Sequence, residues 1–112
     1  MVFDDAKKAA YFIWEYTKCE NAISLWHCAE DIADFFASCG MISTEDILNF
    51  ARKEKYSLEY ISFVRHIAYR LYAYTGRDDE TANWFDAEKL INNAEWVCAI
   101  VGAVNKKSDI SL

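Results

Sequence analysis

From Ser57 to Thr75 the apolar residues fall on one side of a helix, and the run is bracketed by a start and a stop. Ser57 is placed to cap the first turn, because its hydroxyl can accept from an amide that has no partner within the helix. Tyr56 before it and Ile61 after it have the spacing of a hydrophobic staple. Ile61, Val64, Ala68, Leu71 and Thr75 recur three or four residues apart, flanked by Phe63, Ile67 and Tyr74. Gly76 follows where a left-handed residue is needed, which glycine supplies without steric cost. The polar segment Arg77–Ala82 is short, so the next helix is expected to return antiparallel. Asn83 has the position of its cap, with Asp86 three residues on near the positive helix end. A chain built around such a hairpin is committed to helix packing.

Composition agrees. The 112 residues contain no proline and three glycines, two of them where helices should stop. That disfavours a turn-rich β fold, and the length suits one domain spanning 1–112. The expected fold is all-α: an up-and-down bundle of four main helices plus one short helix. The first helix is expected over about Asp4–Lys18, the second from the cap Asn21 to Cys39 with Gly40 as its stop, and the short one over Thr44–Lys53 behind Ser43. Ser57–Thr75 is the fourth. Ala87, Leu90, Ala94, Val97, Val101 and Val104 keep one phase, which predicts a single fifth helix from Trp84 to about Val104. The alternative is a restart capped by Asn93. Residues 105–112 are expected to fray.

Ala68-Tyr69-x-Leu71-Tyr72, then Gly76, then Asn83-Trp84-x-x-Ala87-Glu88-x-Leu90 resembles a small bacterial domain of unknown function with the signature AY-x-L…G…DW-x-x-AE-x-L. The likeness covers roughly the third quarter of the chain, and Asn83 stands where that family usually has Asp. It implies a helical hairpin, no established activity and no catalytic residue. Read from the residues alone, Ala68 and Ala87 let two helices approach, and Trp84 can lie over Tyr69 or Tyr72. Glu88 can pair with Arg70 or accept from a tyrosine hydroxyl. A ligand site among Tyr69, Arg70, Tyr72, Trp84 and Glu88 would require an open cavity there.

Charge excludes more than it selects. A net charge of −6 with no basic run argues against direct nucleic-acid binding and against an anionic membrane surface. The N-terminal ten residues do not read as a signal peptide, and no apolar run approaches membrane-spanning length. Cys19, Cys28, Cys39 and Cys98 form no C-x-x-C pair, so reduced and mostly buried thiols in a cytosol are expected.

Catalytic patterns are sparse. There is no Glu-x-x-His for a bundle metal centre. His27 has Asp31 one turn on, a spacing that serves equally as an exposed pair. His66 precedes Ile67-Ala68 rather than the lysine and small residue typical of phosphotransfer sites, and Asp31 with Asp34 lacks the second acidic pair of a magnesium site. Glycine-rich phosphate loops are absent. The expectation is a non-enzymatic, cytosolic protein-interaction module without cofactor or metal.

Two surfaces are candidates for the contact. Trp96–Val104 carries no charge, and Trp96, Ile100 and Ala103 fall opposite the main stripe of their helix. Either this helix sits in the middle of the bundle or, with Trp14, these residues form a self-association face, giving a homodimer; the second is the expectation. The alternative is a small acidic inhibitor, of the type phage encode, occupying the basic groove of a nucleic-acid-processing protein. Its acidic contact face would comprise Glu20, Asp31 and Asp34 with the turn Asp78, Asp79 and Glu80.

Overall fold

Six helices account for the chain in the computed structural model, which describes residues 2–110, with side chains from Asp5 to Asn105. They are α1 (Val2–Thr17), α2 (Ala22–Ser38), α3 (Thr44–Lys53), α4 (Leu58–Thr75), α5 (Glu80–Ile91) and α6 (Ala94–Ile110). There is no strand among the described residues. The all-α class holds.

Local chemistry sets most of the boundaries. Asn21 Oδ1 accepts from the Ser24 amide, Ser43 Oγ from Asp46 and Ser57 Oγ from Tyr60, each at 3.1 Å. A cap of this kind is worth about 1 kcal/mol. Gly76 stops α4 at φ 71°, and its amide donates to the Tyr72 carbonyl at 2.8 Å. Tyr56 also adopts a positive φ, 70°, which is unusual for a bulky residue. Its ring is exposed, with Lys55 Nζ 5.3 Å from the centroid, so it does not bury a staple against α4.

Three boundaries differ from expectation. The single fifth helix is two helices, because the chain breaks at Asn92-Asn93. Asn92 closes α5, and Asn93 Oδ1 accepts from the Trp96 amide at 3.1 Å to open α6, as in the alternative restart. Asn83 does not cap α5. Asp79 does so, accepting from the Ala82 amide at 3.0 Å, and Asn83 lies buried one turn in. The last helix also runs past its expected end near Val104: α6 continues to Ile110, and Ser111 and Leu112 lie outside the described residues.

The helices pack so that α1 lies between α2 and α6, and α4 between α2 and α5, while α3 crosses α6 and touches α5. Neighbours on α2 and α4 run in opposite directions: Asp31 meets Arg70 and Tyr74, whereas Phe35 stacks on His66 nearer the start of α4. The same holds for α4 and α5, where Tyr60 meets Glu88 and Arg77 meets Asp86. One contiguous core results, centred on Phe36, Tyr60, Val64, Leu71, Leu90 and Trp96. The rings of Phe36 and Trp96 cross at 84° with centroids 5.8 Å apart, an edge-to-face arrangement favoured by the aromatic quadrupole.

That core overturns part of the expected association face. Trp96, Ile100 and Ala103 are sunk inside the protein, with Trp96 and Ile100 at 0% exposure. The charge-free run is explained by the position of α6, which is covered on separate sides by α1, α2 and α3. Trp14 alone of the four remains outside, 38% exposed beside Tyr11. No helix is long and apolar enough to cross a membrane among the described residues.

Candidate functional site: the α4–α5 groove

The turn between α4 and α5 is held by an arginine that the sequence reading left unassigned. Arg77 donates from Nε to Asn83 Oδ1 at 2.8 Å and from Nη2 to Asp86 Oδ2 at 2.6 Å. Asn83 Nδ2 returns a bond to the Arg77 carbonyl at 2.8 Å. Asn83 and Asp86 are both buried. Burying a carboxylate is unfavourable unless it is paired and hydrogen-bonded, and Arg77 meets both needs. The result is a corner cross-linked by three side-chain hydrogen bonds.

Beside that corner a groove opens between the two helices. Arg65, Ala68, Tyr69 and Tyr72 on α4 face Asp78, Glu80, Asn83 and Trp84 across a groove of about 570 Å³. The four α4 residues sit at the spacing that puts one helix face in line. Tyr69 is 65% and Tyr72 49% exposed, with ring centroids 6.3 Å apart. Trp84 is half-buried and makes no ring contact with either tyrosine among the described residues. The small Ala68 leaves the floor open. The cavity that the sequence left as a requirement for a ligand site is therefore present, and the rings are not packed shut.

The other members of the motif lie elsewhere. Arg70 turns to α2 and donates from Nε to Asp31 Oδ1 at 3.1 Å, with its guanidinium 4.6 Å from the Phe35 ring centroid. It does not reach Glu88. Glu88 accepts from the Tyr60 hydroxyl at 3.1 Å instead. Burial, then the neighbouring Glu88 charge, raises the Tyr60 pKa.

The expected acidic face divides in two. Asp31 is tied to α4 through Arg70 and through the Tyr74 hydroxyl, which donates to Oδ2 at 2.7 Å. That hydrogen bond, with burial second, pushes the Tyr74 pKa up to about 12. His27 pairs with Glu30 at 3.4 Å rather than with Asp31. Glu20 and Asp34 are exposed. On the other side of α4, Asp79 serves as the α5 cap, which leaves Asp78 and Glu80 facing the groove.

The remaining chemistry is quiet. All four cysteines are free, but only Cys28 is buried; Cys39 and Cys98 are exposed and Cys19 is intermediate, so the expectation of mostly buried thiols is corrected. Burial drives the Cys28 pKa up to about 12, with the Asp31 charge adding to it. That thiol is therefore a poor nucleophile. No group of three or more His, Cys, Asp or Glu side chains is placed to hold a metal ion among the described residues. Nothing in the groove pairs a nucleophile with a base, since Tyr69, Tyr72 and Trp84 supply rings and Asp78 and Glu80 supply only carboxylates.

Fold and groove together define an all-helical protein with an open, aromatic-walled cleft beside a hydrogen-bonded turn. The chain matches no protein-family model, no curated protein and no solved structure. The likeness to the AY-x-L…G…DW-x-x-AE-x-L domain thus rests on the motif residues alone; of these Ala68, Tyr69, Tyr72, Asn83 and Trp84 line the groove, while Leu71, Ala87 and Leu90 lie in the core.

Proposed function

We propose that this protein is a non-enzymatic protein-binding module, a helical bundle whose long helices run up and down and which presents the α4–α5 groove to a partner. The observation that carries this reading is the open aromatic wall. Tyr69, Tyr72 and Trp84 line a cleft of about 570 Å³, within the range of roughly 300–1,000 Å³ usual for ligand sites. Tyrosine and tryptophan are the side chains that contribute most at protein contacts, because a large rigid ring is buried with little loss of conformational freedom. The free thiols suit a reducing cytosol. The test is affinity capture from the native host with the wild type and a Tyr69→Ser/Tyr72→Ser variant side by side. Both rings are exposed, so the fold should be retained, as circular dichroism would verify. A partner held by the wild type and lost by the variant supports the reading; equal recovery refutes it.

A specific observation favours self-association as a second reading. Tyr11 and Trp14 lie on the outer face of α1 with centroids 5.7 Å apart, and Tyr11 is 55% exposed. A symmetric contact through that pair would bury both. Sedimentation velocity of the wild type against Tyr11→Ser/Trp14→Ser tests it. A wild type that stays monomeric at high concentration would remove it.

A further inference from the structure

We propose that the α4–α5 groove receives one arginine or lysine side chain, presented by an extended segment of a basic partner protein; this rests on the groove being a docking site. Two carboxylates face it without a partner. Asp78 and Glu80 are exposed and enter no ion pair among the described residues, whereas Asp79 between them is committed to the α5 cap. The rings beside them are unused in a telling way. A cation is attracted to the negative face of an aromatic ring within about 6 Å of its centroid, and four rings are covered so among the described residues: Lys18 over Trp14, Lys55 over Tyr56, Arg70 over Phe35 and Lys89 over Tyr16. Tyr69, Tyr72 and Trp84 have no such cover among the described residues. The groove thus holds ring faces and carboxylates together, both of which select a cation, and Arg65, the cation that lines it, neither pairs with those carboxylates nor covers those rings among the described residues.

The far end sets the size of the site. Arg65 lies seven residues before Tyr72, about 10 Å down the helix. Its guanidinium offers donors to backbone carbonyls of the arriving segment and repels a second cation. One basic side chain at the Asp78–Glu80 end, followed by uncharged backbone along the tyrosines, is the sequence the groove fits. The net charge of −6 would steer such a partner towards the protein.

The test titrates the full chain with three capped hexapeptides of glycine and serine that differ only in their first residue, arginine, glutamate or phenylalanine, and follows the Trp84 indole N–H and the Tyr69 and Tyr72 ring signals by NMR. The arginine peptide alone should shift them. Its affinity should fall by at least about tenfold in Asp78→Asn/Glu80→Gln, as expected when charge-assisted contacts are lost. It should also weaken as salt rises from about 50 to about 500 mM. The variant keeps Asp79, so α5 retains its cap. Unchanged binding by that variant, or shifts gathered on Glu30 and Asp34 of α2, overturns the proposal. If only the phenylalanine peptide shifts the rings, the cation fails while the docking reading stands. If no peptide shifts them and Tyr69→Ser/Tyr72→Ser still captures the same host proteins, both fail.

Discussion

Replacing Arg77 with methionine isolates the energetic role of the α4–α5 corner. Methionine keeps most of the side-chain volume but removes both side-chain bonds, to Asn83 and to Asp86. Breaking a buried ion pair by deleting one partner costs about 3–5 kcal/mol, because the other charge stays buried. Here two features reduce that loss. The Arg77 side chain is 23% exposed, so water can replace part of it, and Lys89 Nζ lies 3.8 Å from the other Asp86 oxygen. A loss of about 2–3 kcal/mol is expected, a large share of the roughly 5–15 kcal/mol that holds a domain together. Urea unfolding followed at 222 nm should show the midpoint falling with little change in slope, and Tm should drop by roughly 10 °C. Arg77→Met with Asp86→Leu should then cost less than the two single changes added together, by about 1.5 kcal/mol or more. A single-variant loss below about 1 kcal/mol, or strict additivity, would refute the argument that Arg77 neutralises a buried carboxylate.

Three further outcomes test other parts of the fold. The Trp96 Nε1 donor is buried without a hydrogen-bond acceptor among the described residues. Removing that orphan offsets lost volume, so Trp96→Phe should stay within about 1 kcal/mol of wild type, while Trp96→Ala should lose about 3–5 kcal/mol by calorimetry. Asn93→Ala deletes the α6 cap and the 3.2 Å bond from Nδ2 to the Tyr16 hydroxyl, and chemical unfolding should register a loss of about 1–2 kcal/mol. Tyr74 has a pKa raised to about 12 by its bond to Asp31. A raised folded-state pKa contributes stability that is complete below the unfolded value of about 10 and is lost as pH rises through the folded value. Tyr74→Phe should therefore be weaker than wild type at pH 7, and the gap should narrow between pH 10 and 12.

The caps at Asn21, Ser43 and Ser57 and the stop at Gly76 were legible because each is a contact between residues three or four apart. Asn83 misled because capping chemistry alone cannot distinguish it from Asp79; the arginine that draws Asn83 inside acts through the folded turn. The phase that joined Leu90 to Ala94 and Val97 was real, yet it reports which side of the chain is buried, not whether the backbone is continuous. The charge-free Trp96–Val104 run was read correctly as apolar on more than one side. Whether such a helix is covered by its own chain or by another depends on how α1, α2 and α3 close around it, which no local pattern encodes. Tyr69, Tyr72 and Trp84 were legible as a cluster for the same reason the caps were, since the helix stop and turn fix their register. Whether the rings would pack shut or stand apart was not, because that depends on how α4 and α5 approach each other in the folded protein.

The break at Asn92-Asn93 also sets the dimensions of the molecule. A single rod from Glu80 to Ile110 would run about 46 Å, longer than the 39 Å of the protein's greatest extent. Its second half would project beyond the body with its greasy sides bare. Two asparagines break that rod, so that the last helix can lie against α1, α2 and α3 and is shielded by the chain that made it.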